Sequence, residues 1–402
     1  MTTEHDREPV ILSAARTPMG RFQGGLSPLS ATQLGAVAVK AAVERASISE
    51  LDSIDEVLMG NVVSAGLGQA PARQAAIFAG IPPTVGAFTL NKVCGSGLKT
   101  GMLASQAIKA GDGELFVAGG MESMSNAPYL LRTRGGELRY GHGQLIDALL
   151  HDGLWDPFED WAMGMAAEWI ADEYEVSREE MDQYSYESHK KAIDAIDTGK
   201  FNAEITPVEV PGRKGSVTLI EEDETPRRDT SVEALARLRP AFTADGKVTA
   251  GNAPGLNDGA SALVYASRRK ADELGVKPMA RVVAYAQAAV PPKELFSAPG
   301  VAIPKLLEKL DWSLQDVDLF ELNEAFAAQV LADGRMLSSS GWDWEKVNVH
   351  GGAIALGHPI GASGARVLTT LLYALKDLGG KRGIASLCLG GGEAVAMAVE
   401  LE

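Results

Sequence analysis

Apolar and polar residues along this chain follow two periods in turn. Short apolar-rich runs at residues 9–15 and 115–120 read as buried strands, and residues 54–63 and 87–93 are strand-like as well. Between them, residues 30–45, 70–79 and 98–110 carry apolar side chains at helical spacing. Arg16-Thr17-Pro18-Met19-Gly20 and Gly80-Ile81-Pro82-Pro83 punctuate the pattern as turns. The alternation of strand and helix predicts a largely parallel sheet covered by helices.

The middle of the chain breaks that pattern. Residues 121–251 are more charged and turn-rich, with an acidic run at Glu221-Glu222-Asp223-Glu224. Residues 177–198 predict a polar, exposed helix. This stretch reads as an insertion, because residues 257–266 and 270–274 return to a core-like pattern. The last third then repeats the first in order. Residues 280–286 echo the opening strand, 317–323 echo 54–62, and 384–392 echo 115–120. A glycine-rich loop at Gly357 opens a helix, as Cys94-Gly95-Ser96-Gly97 does. Generic strand–helix units resemble one another by chance, but the shared order and glycine placement favour two similar α/β halves with a site between them.

Composition narrows the function. At 402 residues the chain can form two or three domains around sizeable cores. A net charge of −16 without a long basic run makes nucleic acid and anionic membrane poor partners. No apolar run approaches the roughly 20 residues of a membrane span. Residues 1–8 are polar and acidic, unlike a signal peptide. The 2 cysteines, Cys94 and Cys388, lie near opposite ends of the chain and make no secreted disulfide framework. A reducing cytoplasm is therefore the expected compartment.

Candidate chemistry clusters at glycine-rich loops. Residues 350–366 hold five glycines, His350, His358 and a Gly-His-Pro turn, and open an apolar helical segment. Such a loop brings backbone N–H groups close to a ligand at a helix start; read alone, it is equally a tight connection with a packed histidine. Cys94 stands between a strand and a helix among small residues. There the helix dipole would lower its pKa and suit it to acyl transfer, although a lone cysteine is as often a small core hydrophobe. Cys388 ends a strand before Leu389 and three glycines; it reads either as a core residue or as an acid–base thiol. Asn323 follows a strand and reads as an N-cap or as an oxyanion donor. His5, His142, His151 and His189 lack such a setting, and His189 is expected to be solvated. No close cluster of His, Cys and carboxylate predicts a metal site.

Together the motifs resemble the thiolase family over nearly the whole chain. The carriers are Asn91-Lys92-Val93-Cys94-Gly95-Ser96-Gly97, Gly119-Gly120-Met121-Glu122-Ser123-Met124-Ser125 and Thr249-Ala250-Gly251-Asn252-Ala253. Asn257-Asp258-Gly259-Ala260, Asn323-Glu324-Ala325-Phe326, Gly357-His358-Pro359 and Cys388-Leu389-Gly390-Gly391-Gly392 complete them. The resemblance implies an α/β thiolase fold: two similar βαβ-rich halves in a layered αβαβα arrangement, with an inserted loop domain and a homodimeric or homotetrameric assembly. The boundaries expected are 1–122 with 252–277 for the N-terminal core, 123–251 for the loop domain and 278–402 for the C-terminal core.

The same resemblance implies roles. Cys94 would take the acyl group, His358 would accept its proton, and Cys388 would act as acid and base on a second acyl-CoA. Asn323 would position a water that forms one oxyanion hole with His358, and the N–H groups of Cys94 and Gly390 would form another. Arg227, Met163, Phe242 and Ala250 match positions that contact coenzyme A. CoA would be substrate and product, with no metal or other cofactor. The implied reaction is acetyl-CoA acetyltransfer, or else degradative thiolysis of longer 3-ketoacyl-CoA; a catalytically lapsed acyl-CoA-binding relative is the non-enzymatic alternative. Three departures bear on chain length and CoA contacts: Ala162 where many members have His, Pro254 where many have Ser, and a longer segment at 333–340. His350, where Asn is common, is expected to be structural.

Overall fold

The opening apolar run forms a fully buried strand, β1 (Pro9–Arg16), in a computed structural model that describes residues 3, 5–135, 138 and 140–402. Helix α1 (Ala31–Arg45) starts where the Ser30 side chain accepts from the Gln33 N–H and Gln33 answers by accepting from the Ser30 N–H. Then follow β2 (Glu56–Gly60), α2 (Pro71–Phe78), β3 (Gly86–Leu90), α3 (Ser96–Ala110) and β4 (Leu115–Ser123). The insertion contributes α4 (Met163–Glu173) and α5 (Arg178–Asp197). The chain continues through β5 (Asn257–Ser267), β6 (Ala280–Ala289), α6 (Ala298–Leu310), β7 (Leu319–Leu322) and α7 (Ala327–Leu337). It ends with α8 (Ile360–Leu378), β8 (Arg382–Leu389) and β9 (Glu393–Leu401).

These strands join in the order β7-β8-β9-β6-β1-β5-β4-β2-β3, and Gly20–Arg21 adds a short ladder to β5, making a 10-stranded sheet. The order repeats: β2-β4-β5-β1 in one half, β7-β8-β9-β6 in the other. In each half the first pair is parallel and the next two are antiparallel. Even the irregularities match, with register shifts between Ile11 and Ser13 in β1 and between Val282 and Ala284 in β6. Val347 bridges Phe320 of β7 in the way β3 pairs with β2. The sheet is thus mixed, which corrects the expectation of a largely parallel one. Strands β8 and β9 are joined by only Gly390-Gly391-Gly392, too short for the crossover a parallel pair requires.

The layers are αβαβα. Helices α1 and α2 cover the first half, α6 and α7 cover the second, and α3 and α8 fill the space between. The insertion packs α4 and α5 against α7 rather than on the first half's sheet. Helix α5 departs from the exposed helix expected there. Its start is capped by Ser177 with Glu180, but Met181, Ser185, Ser188, His189 and Ala192 form a buried face. His189 is 4% exposed, so the expectation that it is solvated is corrected.

Glycines set how closely α3 and α8 cross. A Cβ on Gly364 would lie 2.3 Å from the Leu98 nitrogen, and one on Gly97 would lie 2.7 Å from that of Ala365. One on Gly120 of β4 would lie 2.0 Å from the Gly361 carbonyl oxygen. Backbone cannot yield as a flexible side chain does. Gly120→Ala should therefore destabilise the protein by about 1–3 kcal/mol or more in denaturant unfolding. An unchanged midpoint would contradict this close approach.

Candidate active site

Cys94 projects from a turn rather than from the end of a strand. Strand β3 stops at Leu90, and Val93 adopts φ 46, a left-handed conformation costly for a β-branched residue. Hydrogen bonds over-determine this turn. The Val93 N–H donates to Asn91 Oδ1 (3.0 Å), the Ser96 hydroxyl donates to the Val93 carbonyl (2.6 Å), and the Lys92 N–H donates to Ser96 Oγ (2.8 Å). Glu393, on β9, anchors Lys92 Nζ at 2.6 Å. Cys94 itself remains half-buried.

Burial pushes the Cys94 thiol up to about 12, and the Glu122 charge adds to the rise. The N–H groups of Gly390 and of Cys94 itself point at the sulfur and oppose it. The expectation of an acidic thiol is therefore corrected: α3 begins two residues later, and desolvation outweighs its dipole. The Gly390 contact links the nucleophile turn to the last loop of the chain.

His358 stands at the start of α8. Gly357 has φ 104, and a Cβ there would meet the Asn257 side chain at 2.5 Å, so only glycine fits the turn. Asn257 Oδ1 accepts from the His358 N–H (2.9 Å), while its Nδ2 donates to the Gly20 carbonyl (2.9 Å). The ring Nδ1 lies 2.6 Å from Ser363 Oγ, whose own proton goes to the Pro359 carbonyl (2.9 Å). Ser363 must then accept, which leaves Nδ1 protonated and Nε2 with a free lone pair. Burial and the nearby Arg366 guanidinium hold the ring's pKa down to about 3. With its pKa held that low, the His358 ring is neutral near pH 7.

Cys388, at the end of β8, is buried, and its thiol is pushed well up by burial and by the neighbouring charges of Cys94 and Asp333. The structure brings Cys94, Cys388, His358 and Gly390 onto one cavity of about 200 Å³, walled by apolar groups including Leu154, Met163 and Phe326. Phe242 lines it too and stacks so closely on Gly164 that a Cβ there would touch the ring at 2.1 Å. Arg227 and Ala250 line a second cavity of about 190 Å³. Ala253 and Gly255 border both, so the two chambers adjoin. Ala162 and Pro254 line the first chamber.

Asn323 is not in the wall of that cavity. It is fully buried two residues before Ala325, which is, and neither amide atom has a partner among the described residues. His350 borders neither chamber; it sits edge-on to Phe201 at 6.1 Å and 3.7 Å from Asp377. No group of His, Cys, Asp or Glu among the described residues is arranged to hold a metal ion, and no helix there is long and apolar enough to cross a membrane.

Several supporting residues escaped the sequence reading. Glu122 accepts from the N–H groups of Gly361 (2.8 Å), Val62 (3.1 Å) and Val63 (3.2 Å) and from Asn61 Nδ2 (2.9 Å). Burial raises its carboxyl to about 7. Glu324 accepts from Ser188 Oγ (2.7 Å), Tyr184 Oη (3.0 Å), Asn348 Nδ2 (3.0 Å) and the Ile354 N–H (2.9 Å), fixing the loop before His358. Both stood inside quoted motifs, but their partners are remote in sequence.

A nucleophile turn, a neutral imidazole and a second thiol on one apolar chamber are the equipment of an acyl-transfer site. The chain belongs to the thiolase family: residues 9–269 match the family's N-terminal domain and 276–401 its C-terminal domain. It is 52% identical over 391 residues to the acetyl-CoA acetyltransferase of Pseudomonas aeruginosa, covering 97% of this chain and 98% of that protein. The acetyl-CoA acetyltransferase of Cupriavidus necator is 51% identical, with the same coverage. The crystal structure of the Bacillus anthracis acetyl-CoA acetyltransferase superposes with a TM-score of 0.94 at 43% identity, over 98% of this chain and 99% of that one.

Two outcomes follow from the site's electrostatics. Alkylation of Cys94 by iodoacetamide should keep accelerating with pH through about 9, since its thiol titrates high; a plateau below pH 8 would mean a stabilised thiolate. Ser363→Ala should slow Cys94 acylation about 10- to 100-fold by freeing the His358 ring, with little change in KM; single-turnover kinetics would read it.

Proposed function

We propose that this protein is an acetyl-CoA C-acetyltransferase, condensing two acetyl-CoA reversibly to acetoacetyl-CoA and free CoA. The observation that carries the reading is that Cys94 and Cys388, from opposite ends of the chain, share one chamber with His358 and Gly390. The named relatives, at about 50% identity over nearly the whole chain, point the same way.

In the first half-reaction the Cys94 sulfur attacks the acetyl thioester as its proton passes to His358 Nε2. The CoA sulfur leaves with the proton of Cys388, so Cys388 becomes a thiolate while His358 keeps the proton it took from Cys94. The N–H groups of Cys94 and Gly390 receive the developing oxyanion. In the second, Cys388 removes a methyl proton from another acetyl-CoA. The resulting enolate oxygen is held by protonated His358 and by a water positioned by Asn323, whose amide is buried without a protein partner. The carbanion attacks the acyl group, and Cys94 departs as a thiol by taking back the proton held on His358. Preorganised donors are each worth roughly 3 kcal/mol here, and positioned proton transfer adds a factor of about 10²–10⁴. No step calls for a metal or a redox group; CoA enters as substrate and leaves as product.

The chamber lined by Met163 and Phe242 takes the thioester end of the carrier, and the adjoining one, with Arg227 and Ala250, takes its nucleotide end. We assign residues 1–122 and 252–277 to the N-terminal core, 123–251 to the loop domain and 278–402 to the C-terminal core. The assembly is a homodimer or homotetramer in the cytoplasm, without nucleic-acid or membrane partners. The apolar chamber wall also suits thiolysis of longer 3-ketoacyl-CoA, so rates on acetoacetyl-CoA and longer esters are to be compared. A strong long-chain preference would replace the acetyl assignment.

Intact-mass analysis after acetyl-CoA should show one acetyl group, mapped to Cys94. Cys94→Ser should carry none. Cys388→Ala should still acylate but condense about 10²–10⁴-fold more slowly. Normal turnover by either variant would overturn the roles.

A further inference from the structure

One imidazole remains outside this mechanism. His189 lies on α5, buried at 4% exposure, yet it lines the second chamber beside Thr225, Arg227, Asp229 and Ala250. Its Nδ1 accepts from the backbone N–H of Arg227 at 3.2 Å. A neutral imidazole that accepts at Nδ1 carries its proton at Nε2. Nε2 has no hydrogen-bond partner among the described residues and is not counted among the sealed, orphaned polar atoms. In a ring that lines a chamber, that combination leaves Nε2–H facing the open space.

The ring is also held neutral. Burial and the Arg227 charge bring its pKa down to about 4, so near pH 7 it donates without carrying charge. The charged groups sharing its chamber are Arg227 and Asp229. A buried donor beside an arginine is matched by a ligand with acceptor atoms and negative charge. The strap that carries Arg227 is tethered on its other side, where Thr225 Oγ1 accepts from Asn257 Nδ2 at 3.2 Å. One face of His189 therefore sets the position of Arg227, and the other is free for substrate.

We propose that His189 is a substrate-binding residue: its Nε2–H donates to an acceptor atom in the part of the CoA carrier beyond pantetheine, while Nδ1 fixes the Arg227 strap. The proposal rests on the thiolase reading. It makes α5, a polar helix of the insertion, a reader of the carrier rather than of the acyl group.

Two substitutions separate the two ring nitrogens. His189→Asn keeps an acceptor near Nδ1 and removes the Nε2 donor; His189→Gln places a donor near Nε2 and gives up the tether. Thiolysis is to be measured on acetoacetyl-CoA and on acetoacetyl-pantetheine, which lacks the nucleotide. His189→Asn should raise KM for acetoacetyl-CoA about 5- to 10-fold, the value of one neutral hydrogen bond, with kcat unchanged. It should leave KM for the pantetheine ester within about twofold, and His189→Gln, which restores the donor but loses the tether, should raise KM for acetoacetyl-CoA by less than His189→Asn does. An unchanged KM for the CoA ester in His189→Asn, or an equal rise on both esters, overturns the proposal. If the unsubstituted protein turned over neither ester, the thiolase reading would fail instead.

Discussion

The close crossing of two helix starts is the constraint on which the site depends. Helix α3 follows the Cys94 turn and α8 follows the Gly-His-Pro turn, and the two belong to different halves of the fold. Glycines at 97, 120, 361 and 364 remove the side chains that would hold them apart. Glu122 then locks the junction, since its carboxylate binds the first turn of α8 and the loop after β2 together. Such a carboxylate is costly to bury, and three backbone donors with one amide offset that cost. The duplicated halves are thereby held at a fixed distance, and the thiol of one lines the same chamber as the imidazole of the other.

Low polarity gives this site its chemical character. Desolvation raises both thiols and depresses His358, so each group rests in its neutral form. A neutral site does not waste a thiolate on water or oxidants. The N–H groups of Gly390 and Cys94 at the Cys94 sulfur are backbone donors, fixed in place and needing no reorganisation. The strain at Val93 belongs to the same design, because the turn that exposes the sulfur is one a valine adopts only under several hydrogen bonds.

The insertion divides the labour. The duplicated core contributes Cys94, His358 and Cys388 to the first chamber, and the inserted segment contributes walls through Met163 and Phe242 and an arginine, Arg227, to the second. That local arginine matters in a chain of net charge −16, where the overall field repels an anionic carrier.

Much of this was legible in the residues themselves. Apolar runs located the strands, helical spacing located the first helix, and glycine placement showed the repeat. Those signals are local, set by backbone conformation and side-chain period, so they survive without a partner. The protonation states were not legible. The dipole argument for Cys94 used a neighbour along the chain, whereas burial, decided by every layer around it, prevailed. His189 was misread for the same reason: α5 is polar in composition, and only its packing decided which face met solvent. Sequence alone determined which chemical groups this protein has and the elements that carry them. The tertiary structure decided which groups meet, how dry their surroundings are, and hence which form of each acid and base is present.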